Sequence, residues 1–164
     1  TKSIVAKSLL EYNNAGSEEI IELAKETLKD DKRKPLRYAL GKEFAKYKRD
    51  EYADLCVLYI ANKDVATQGT GLDIYAKGRY ASAENEIEKL LIDNGFQKFR
   101  SKQVVSWLKK GVDSFSEMNN IPKQLKEFLC ENYYILSAKI ERKFQIFCYF
   151  MMFFIFFNNT KAFV

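Results

Sequence analysis

The chain has 164 residues, 47% hydrophobic and 30% charged, with a formal net charge of +5, enough apolar surface for a packed core and too much for wholesale disorder. With only 2 prolines and 7 glycines, the composition favours helices over a turn-rich β sandwich. There is no histidine, and Cys56, Cys130 and Cys148 stand far apart without CxxC spacing, which excludes histidine-based nucleophilic catalysis and an ordinary zinc site.

In chain order, Ser17 is placed to cap a first helix. Glu18 and Glu19 suit its N-terminal dipole, and Ile20, Ile21, Ala24 and Leu28 fall on one face. "KDDKRK" reads as a loop. Pro35 suits a first helical position, and Leu36, Leu40, Phe44 and Tyr47 form the next stripe. Asp50 is a cap candidate for a third helix, whose buried face is Tyr52, Leu55, Cys56, Tyr59 and Ile60. Residues 63–81 hold Gly69, Gly71 and Gly78 and read as a loop between two helical units, with a short strand as the alternative there. Their "GTG" lacks the frame of a dinucleotide or P-loop motif and is a weak phosphate signal.

The second unit reads as a compact set of short helices. Ser82 is a cap candidate for a helix with Ile87, Leu90 and Leu91 inward, and Gly95 suits a left-handed C-terminal position. Phe99 opens another helix with Val104, Val105 and Leu108 inward, stopped near Gly111. Ser114 starts a turn through Phe115 and Met118. Asn120 and Pro122 introduce a last helix holding Leu125, Phe128 and Leu129. The expected fold is therefore mainly α: two small helical units divided near residues 63–81.

The end of the chain differs in kind. "FQIFCYFMMFFIFF", Phe144 to Phe157, is almost without polar side chains, yet shorter than the ~20 residues of a membrane span. The match of "NNT" at Asn158 to a glycosylation sequon is read as chance, because no secretion signal is recognised. With an odd number of cysteines, the expected compartment is reducing and cytoplasmic, and a membrane partner is not expected.

Charge is unevenly spread. Between residues 98 and 126, Lys98, Arg100, Lys102, Lys109, Lys110, Lys123 and Lys126 face only Asp113 and Glu117, so this segment attracts phosphates. A lysine-rich face that serves only solubility is the plainer reading of the same cluster. Trp107 and Phe99 are available for base stacking, although core packing is the usual fate of a tryptophan.

The stretch "FRSKQVVSWLKKGVDSFSEMNNIPKQLKEFL" resembles the N-terminal accessory domain of the radical-SAM adenine-C2 methyltransferases of ribosomal and transfer RNA. Gly95, Phe99, Arg100, Gln103, Trp107, Lys110, Gly111, Val112, Phe115, Met118, Asn120, Pro122, Lys123 and Leu125 carry the likeness, which runs over about residues 84–142. It implies an RNA partner, ribosomal or transfer, for an accessory, non-catalytic domain over residues 81–143. Arg100, Lys102, Lys109, Lys110, Lys123 and Lys126 are the RNA-binding candidates. No catalytic or metal-binding residue is assigned.

The family's 4Fe–4S cluster and S-adenosylmethionine belong to a later barrel that opens with CxxxCxxC. That motif is absent here, so the chain is expected to hold no cofactor and to be inactive alone. Residues 1–80 are a helical region without a recognised family. Residues 144–164 are a hydrophobic tail and a candidate for non-native sequence, of the kind a shifted reading frame in an A/T-rich gene produces. A truncated or rearranged product is expected on that ground. A helical protein-interaction module and a tail-anchored membrane protein are the alternatives.

Overall fold

The computed structural model describes residues 18–135. The expectations for Ser17, Cys148, the Phe144–Phe157 run and Asn158 lie outside the described residues. Within them the chain is mainly helical, as expected, and no strand occurs among the described residues. The helices are α1 (Glu18–Leu28), α2 (Lys34–Phe44), α3 (Ala53–Ile60), α4 (Val65–Gly78), α5 (Glu84–Asp93), α6 (Lys98–Lys110) and α7 (Lys123–Asn132). Short 3-10 turns at Asp31–Arg33, Asp50–Tyr52, Ala81–Ala83 and Phe115–Glu117 join several of them.

The first three helices bury most of the expected stripes. Ile20, Ile21 and Ala24 of α1, Leu40 and Phe44 of α2, and Leu55, Cys56, Tyr59 and Ile60 of α3 are buried together. Each large apolar side chain so buried stabilises the fold by about 1.5–3 kcal/mol before entropy is counted. Tyr47 departs from its stripe: it follows the end of α2 and is exposed. Asp50 begins a 3-10 turn and does not cap α3, and Ser82 likewise sits in the Ala81–Ala83 turn while α5 has no side-chain cap.

The main correction concerns residues 63–81. They hold the longest described helix, α4, and its Leu72, Ile74 and Tyr75 are buried. The Asp64 side chain caps it, accepting from the Thr67 amide at 3.0 Å. Two of the glycines that suggested a loop, Gly71 and Gly78, permit close packing instead. A Cβ on Gly71 would lie 2.7 Å from the Ile60 amide nitrogen, and one on Gly41 would lie 2.3 Å from the Thr70 methyl. The "GTG" thus sits inside a helix pressed on α3, and its amides are spent in the helical ladder. It forms no phosphate loop.

Under α4 lies a buried polar network. Arg37 is fully buried. It donates to the Thr27 carbonyl from Nε at 2.9 Å and Nη2 at 2.7 Å, and from Nη1 to the Thr67 hydroxyl at 3.3 Å. Thr67 in turn donates to Asp64 at 2.7 Å, and Asp64 also accepts from Tyr38 and, at 3.2 Å, from Lys34. Burial pushes the Asp64 carboxyl up, but the hydrogen bonds from Tyr38, Thr67 and Lys34 outweigh it and hold it well below the usual carboxylate range.

The second set of helices follows the sequence closely. Gly95 and Gly111 take left-handed φ of 83° and 79° and end α5 and α6. Ser114 caps its turn by accepting from the Ser116 amide. The core is continuous along the described chain, from Ile20 to Ile135. α4 bridges it, packing against α2 and α3 and also against α6 and α7.

Candidate nucleic-acid interface

Helix α6 decides how the basic segment is presented. Ser101, Val104, Val105 and Leu108 are buried, which fixes its inward face. The opposite face is then Phe99, Lys102, Ser106, Lys109 and Lys110, all exposed. Arg100, Gln103 and Trp107 lie at its flank, half-buried. The spacing follows from 3.6 residues per turn.

Two stacked pairs mark this face. The Arg100 guanidinium carbon lies 4.3 Å from the centroid of the Phe99 ring, and Lys110 Nζ lies 4.7 Å from that of Trp107. Arg100 also donates to Gln103 Oε1 at 2.9 Å. Trp107 packs against the edge of the core, and its indole N–H donates to Asn120 Oδ1 from the turn before α7. Trp107 is therefore neither a fully buried core residue nor a free platform: one part of the ring packs inward and the rest meets Lys110 and solvent.

The structure divides the candidate cations by their partners. Lys109 Nζ lies 2.6 Å from Glu84 of α5, and Lys123 lies 3.5 Å from Glu127. Lys98, though not a candidate, is similarly held at 2.7 Å by Glu88. Arg100, Lys102, Lys110 and Lys126 have no carboxylate within ion-pair distance among the described residues. Lys126 instead donates to the Ser116 carbonyl at 3.2 Å. Lys102, Lys109 and Lys110 line one groove of about 600 Å³ between α5 and α6, together with Ser106, Glu84 and Glu88. Arg100 stands on the Trp107 side of α6, and Lys123 and Lys126 belong to α7. The six candidates thus flank one helix and its neighbour but do not share one groove.

Sequence reasoning did not single out Glu84, Glu88 or Ser106, and it read Asn120 as a helix-start and family-motif residue without foreseeing its hydrogen bond from Trp107. The acids of α5 lie in a different helix from the lysines they meet, and no local spacing announces such a pairing.

Metal chemistry finds no support in these side chains. Among the described residues no group of three or more histidine, cysteine, aspartate or glutamate side chains could hold a metal ion. Cys56 is fully buried, and burial pushes its thiol up; Cys130 is exposed on α7. These two thiols do not fit an iron–sulfur cluster, which needs three or four thiolates together. No helix among the described residues is long and apolar enough to cross a membrane.

Residues 82–135 match the family model described as the ribosomal RNA large subunit methyltransferase N-terminal domain. Similar curated proteins carry the name "Probable dual-specificity RNA methyltransferase RlmN". That of Alkaliphilus oremlandii is 48% identical over 58 residues, covering 35% of this chain and 17% of that protein. Those of Acholeplasma laidlawii and Clostridium tetani are 42% identical over 55 residues and 39% over 59, covering 33% and 36% of this chain and 16% and 17% of those proteins. The match thus spans about one sixth of the length of these relatives. No solved structure matches the chain. The resemblance read from the sequence is borne out: the helices from α5 to α7, within residues 82–135, are similar to the N-terminal domain of the RlmN family of RNA methyltransferases.

Proposed function

We propose that residues 82–135 form a cytoplasmic, non-catalytic RNA-binding domain, the accessory part of an RlmN-type ribosomal or transfer RNA methyltransferase, and that RNA docks on the solvent face of α6. The observation that carries this reading is the set of cations without carboxylate partners among the described residues, beside two cation–ring stacks. Arg100, Lys102 and Lys110 are free to meet phosphates, and Phe99 and Trp107 offer rings to unstacked bases. A lysine face that served only solubility would need no aromatic neighbours. The relatives' name, RNA methyltransferase, supplies the substrate class. The reading assigns no catalytic residue, iron–sulfur cluster or S-adenosylmethionine to this chain.

The test is a salt titration of the full chain on a short single-stranded RNA of mixed sequence, with circular dichroism as the folding control. Lys102→Glu with Lys110→Glu is the informative pair, because neither lysine has a carboxylate within ion-pair distance among the described residues. The reversal is expected to weaken binding by roughly 1–3 kcal/mol and to flatten the salt slope. A folded double variant that binds with the parent's affinity and salt slope overturns the reading.

A further inference from the structure

One acid in the α5–α6 groove is held from outside the family-like segment. Glu84 Oε1 accepts from the Tyr75 hydroxyl at 3.2 Å and lies 2.6 Å from Lys109 Nζ. Tyr75 belongs to α4, and its ring is fully buried. The tyrosine therefore fixes the carboxylate against the basic face of α6. Lys109 remains 44% exposed and Glu84 32%, so this pair meets solvent and is of the weak kind that a polyanion can open.

We propose that Glu84, positioned by Tyr75, attenuates the RNA face by neutralising Lys109, so that α4, before residue 82, contributes through Tyr75 to the strength of RNA binding by the segment after it. This rests on the RNA-docking reading above. In the attenuated state Lys102 and Lys110 present their charge to phosphate, while Lys109 is occupied. A phosphate that reaches Lys109 must displace Glu84, and each such exchange lowers the gain from one contact. Glu84 and Tyr75 act through Lys109 and are positioning residues; neither is assigned an RNA contact.

The experiment uses the full chain and the same RNA, with Glu84→Gln as the central variant. That change keeps the size of the side chain and leaves an oxygen for the Tyr75 hydroxyl. It is expected to raise affinity about threefold at moderate salt and to steepen the salt slope by about 0.7, the increment of one added phosphate contact on a single strand. Tyr75→Phe is expected to raise affinity by a smaller factor, because the carboxylate is loosened but not removed. Lys109→Met is expected to change little in the parent and to abolish the gain in the Glu84→Gln background. Glu51→Gln, an exposed acid in the Asp50–Tyr52 turn, matches the change in net charge.

If Glu84→Gln leaves affinity unchanged while the Lys102/Lys110 reversal still weakens binding, attenuation is overturned and the RNA face stands. An equal gain from Glu51→Gln also overturns attenuation, since total charge then explains it. If the Lys102/Lys110 reversal has no effect, both readings fail.

Discussion

Tyr133 donates a hydrogen bond of 3.0 Å to Gln68 Oε1, joining two residues 65 positions apart. One lies at the end of the segment that resembles the RNA methyltransferase domain, the other in helix α4 before it. The Tyr133 ring is buried and meets Phe128 edge-on at 5.9 Å; Phe128 meets Phe96 at 5.2 Å. A β-carbon on Gly69 would stand 3.4 Å from the Tyr133 ring, so α4 already approaches it closely. The family-like segment thus meets α4 here through the Tyr133 ring beside Gly69 and the Tyr133 hydroxyl on Gln68, with Phe128 and Phe96 supporting that ring from within the segment.

Tyr133 separates these two contributions. Tyr133→Phe keeps the ring and loses the hydroxyl, and is expected to cost about 0.5–1.5 kcal/mol, the net worth of one hydrogen bond. Tyr133→Ala empties the space and is expected to cost about 3–5 kcal/mol. Urea unfolding of the full chain reads both. Equal losses for the two variants would mean that the hydroxyl, and not the ring, carries the contact.

Gly71 and Gly69 differ although both lie in α4. Gly71→Ala forces a methyl to 2.7 Å from the Ile60 amide nitrogen and is expected to destabilise by about 1–3 kcal/mol, the usual cost of overpacking. Gly69→Ala meets only ordinary contact with Tyr133, and the better helix propensity of alanine favours it by up to about 1 kcal/mol. Thermal unfolding of both variants checks the pair. A Gly71→Ala protein as stable as the parent would show that the approach of Ile60 does not require glycine at this position.

That contrast shows where the sequence was legible. The apolar faces of α1 to α3 and of α5 to α7 could be read from their spacing, and Gly95 and Gly111 from their place at helix ends. α4 could not, because Gly69, Gly71 and Gly78 lower helix propensity and no clean amphipathic stripe is present. What favours the helix is tertiary, the burial of Leu72, Ile74 and Tyr75, while the Ile60 backbone accounts for glycine at position 71. One local sign was available, an aspartate three residues before a threonine at the helix start. The buried Arg37 was equally hidden, since an arginine near "KDDKRK" reads as surface charge until the Thr27 carbonyl is seen to need it. The basic segment of the site was legible as charge. Its division into paired and unpaired cations was not, because Glu84 meets Lys109 across two helices.

Arg37 supplies a third prediction. Arg37→Met keeps much of the volume but leaves the Thr27 carbonyl without the guanidinium that donates to it twice, and removes the Arg37 bond to the Thr67 hydroxyl; the Asp30 carbonyl keeps the Arg33 amide. The expected loss is on the order of 3 kcal/mol, from buried acceptors left unsatisfied. Arg37→Lys is expected to rescue little, since a single ammonium cannot reproduce the guanidinium fork. Denaturant midpoints decide it; a fully stable Arg37→Lys protein would show that charge alone suffices there.

Asp64 makes stability depend on pH. Its folded-state pKa is depressed below the ordinary value of 3.8. The folded state therefore binds this proton less readily than the unfolded state, and the stability it contributes is present above about pH 4. It is lost as pH falls below that value, through the depressed folded-state pKa. Asp64→Asn is expected to be less stable than the parent at neutral pH, with the gap closing as the solution is acidified below about pH 4. Paired unfolding curves measure the gap. A gap that widens on acidification would contradict the sign.

Trp107 offers a direct optical report, because it is the only tryptophan of the chain and its ring is half-buried beside Lys110. If RNA docks on this face of α6, a base reaching the ring stacks on it or displaces Lys110 from it, and either event changes the indole's surroundings. Addition of RNA is then expected to change Trp107 emission along the same saturation curve as RNA anisotropy, and added salt should reverse both together. Trp107→Phe keeps a ring for stacking but loses the hydrogen bond to Asn120, and is expected to bind RNA with only a small loss. Trp107→Ala removes the ring, and base–aromatic stacking sets the expected loss of binding at about 1–3 kcal/mol. Circular dichroism must show that this variant remains folded for the loss to count as lost stacking. RNA that binds by anisotropy while Trp107 emission stays constant, with Trp107→Ala folded and binding as the parent does, would move the contact away from this side of α6.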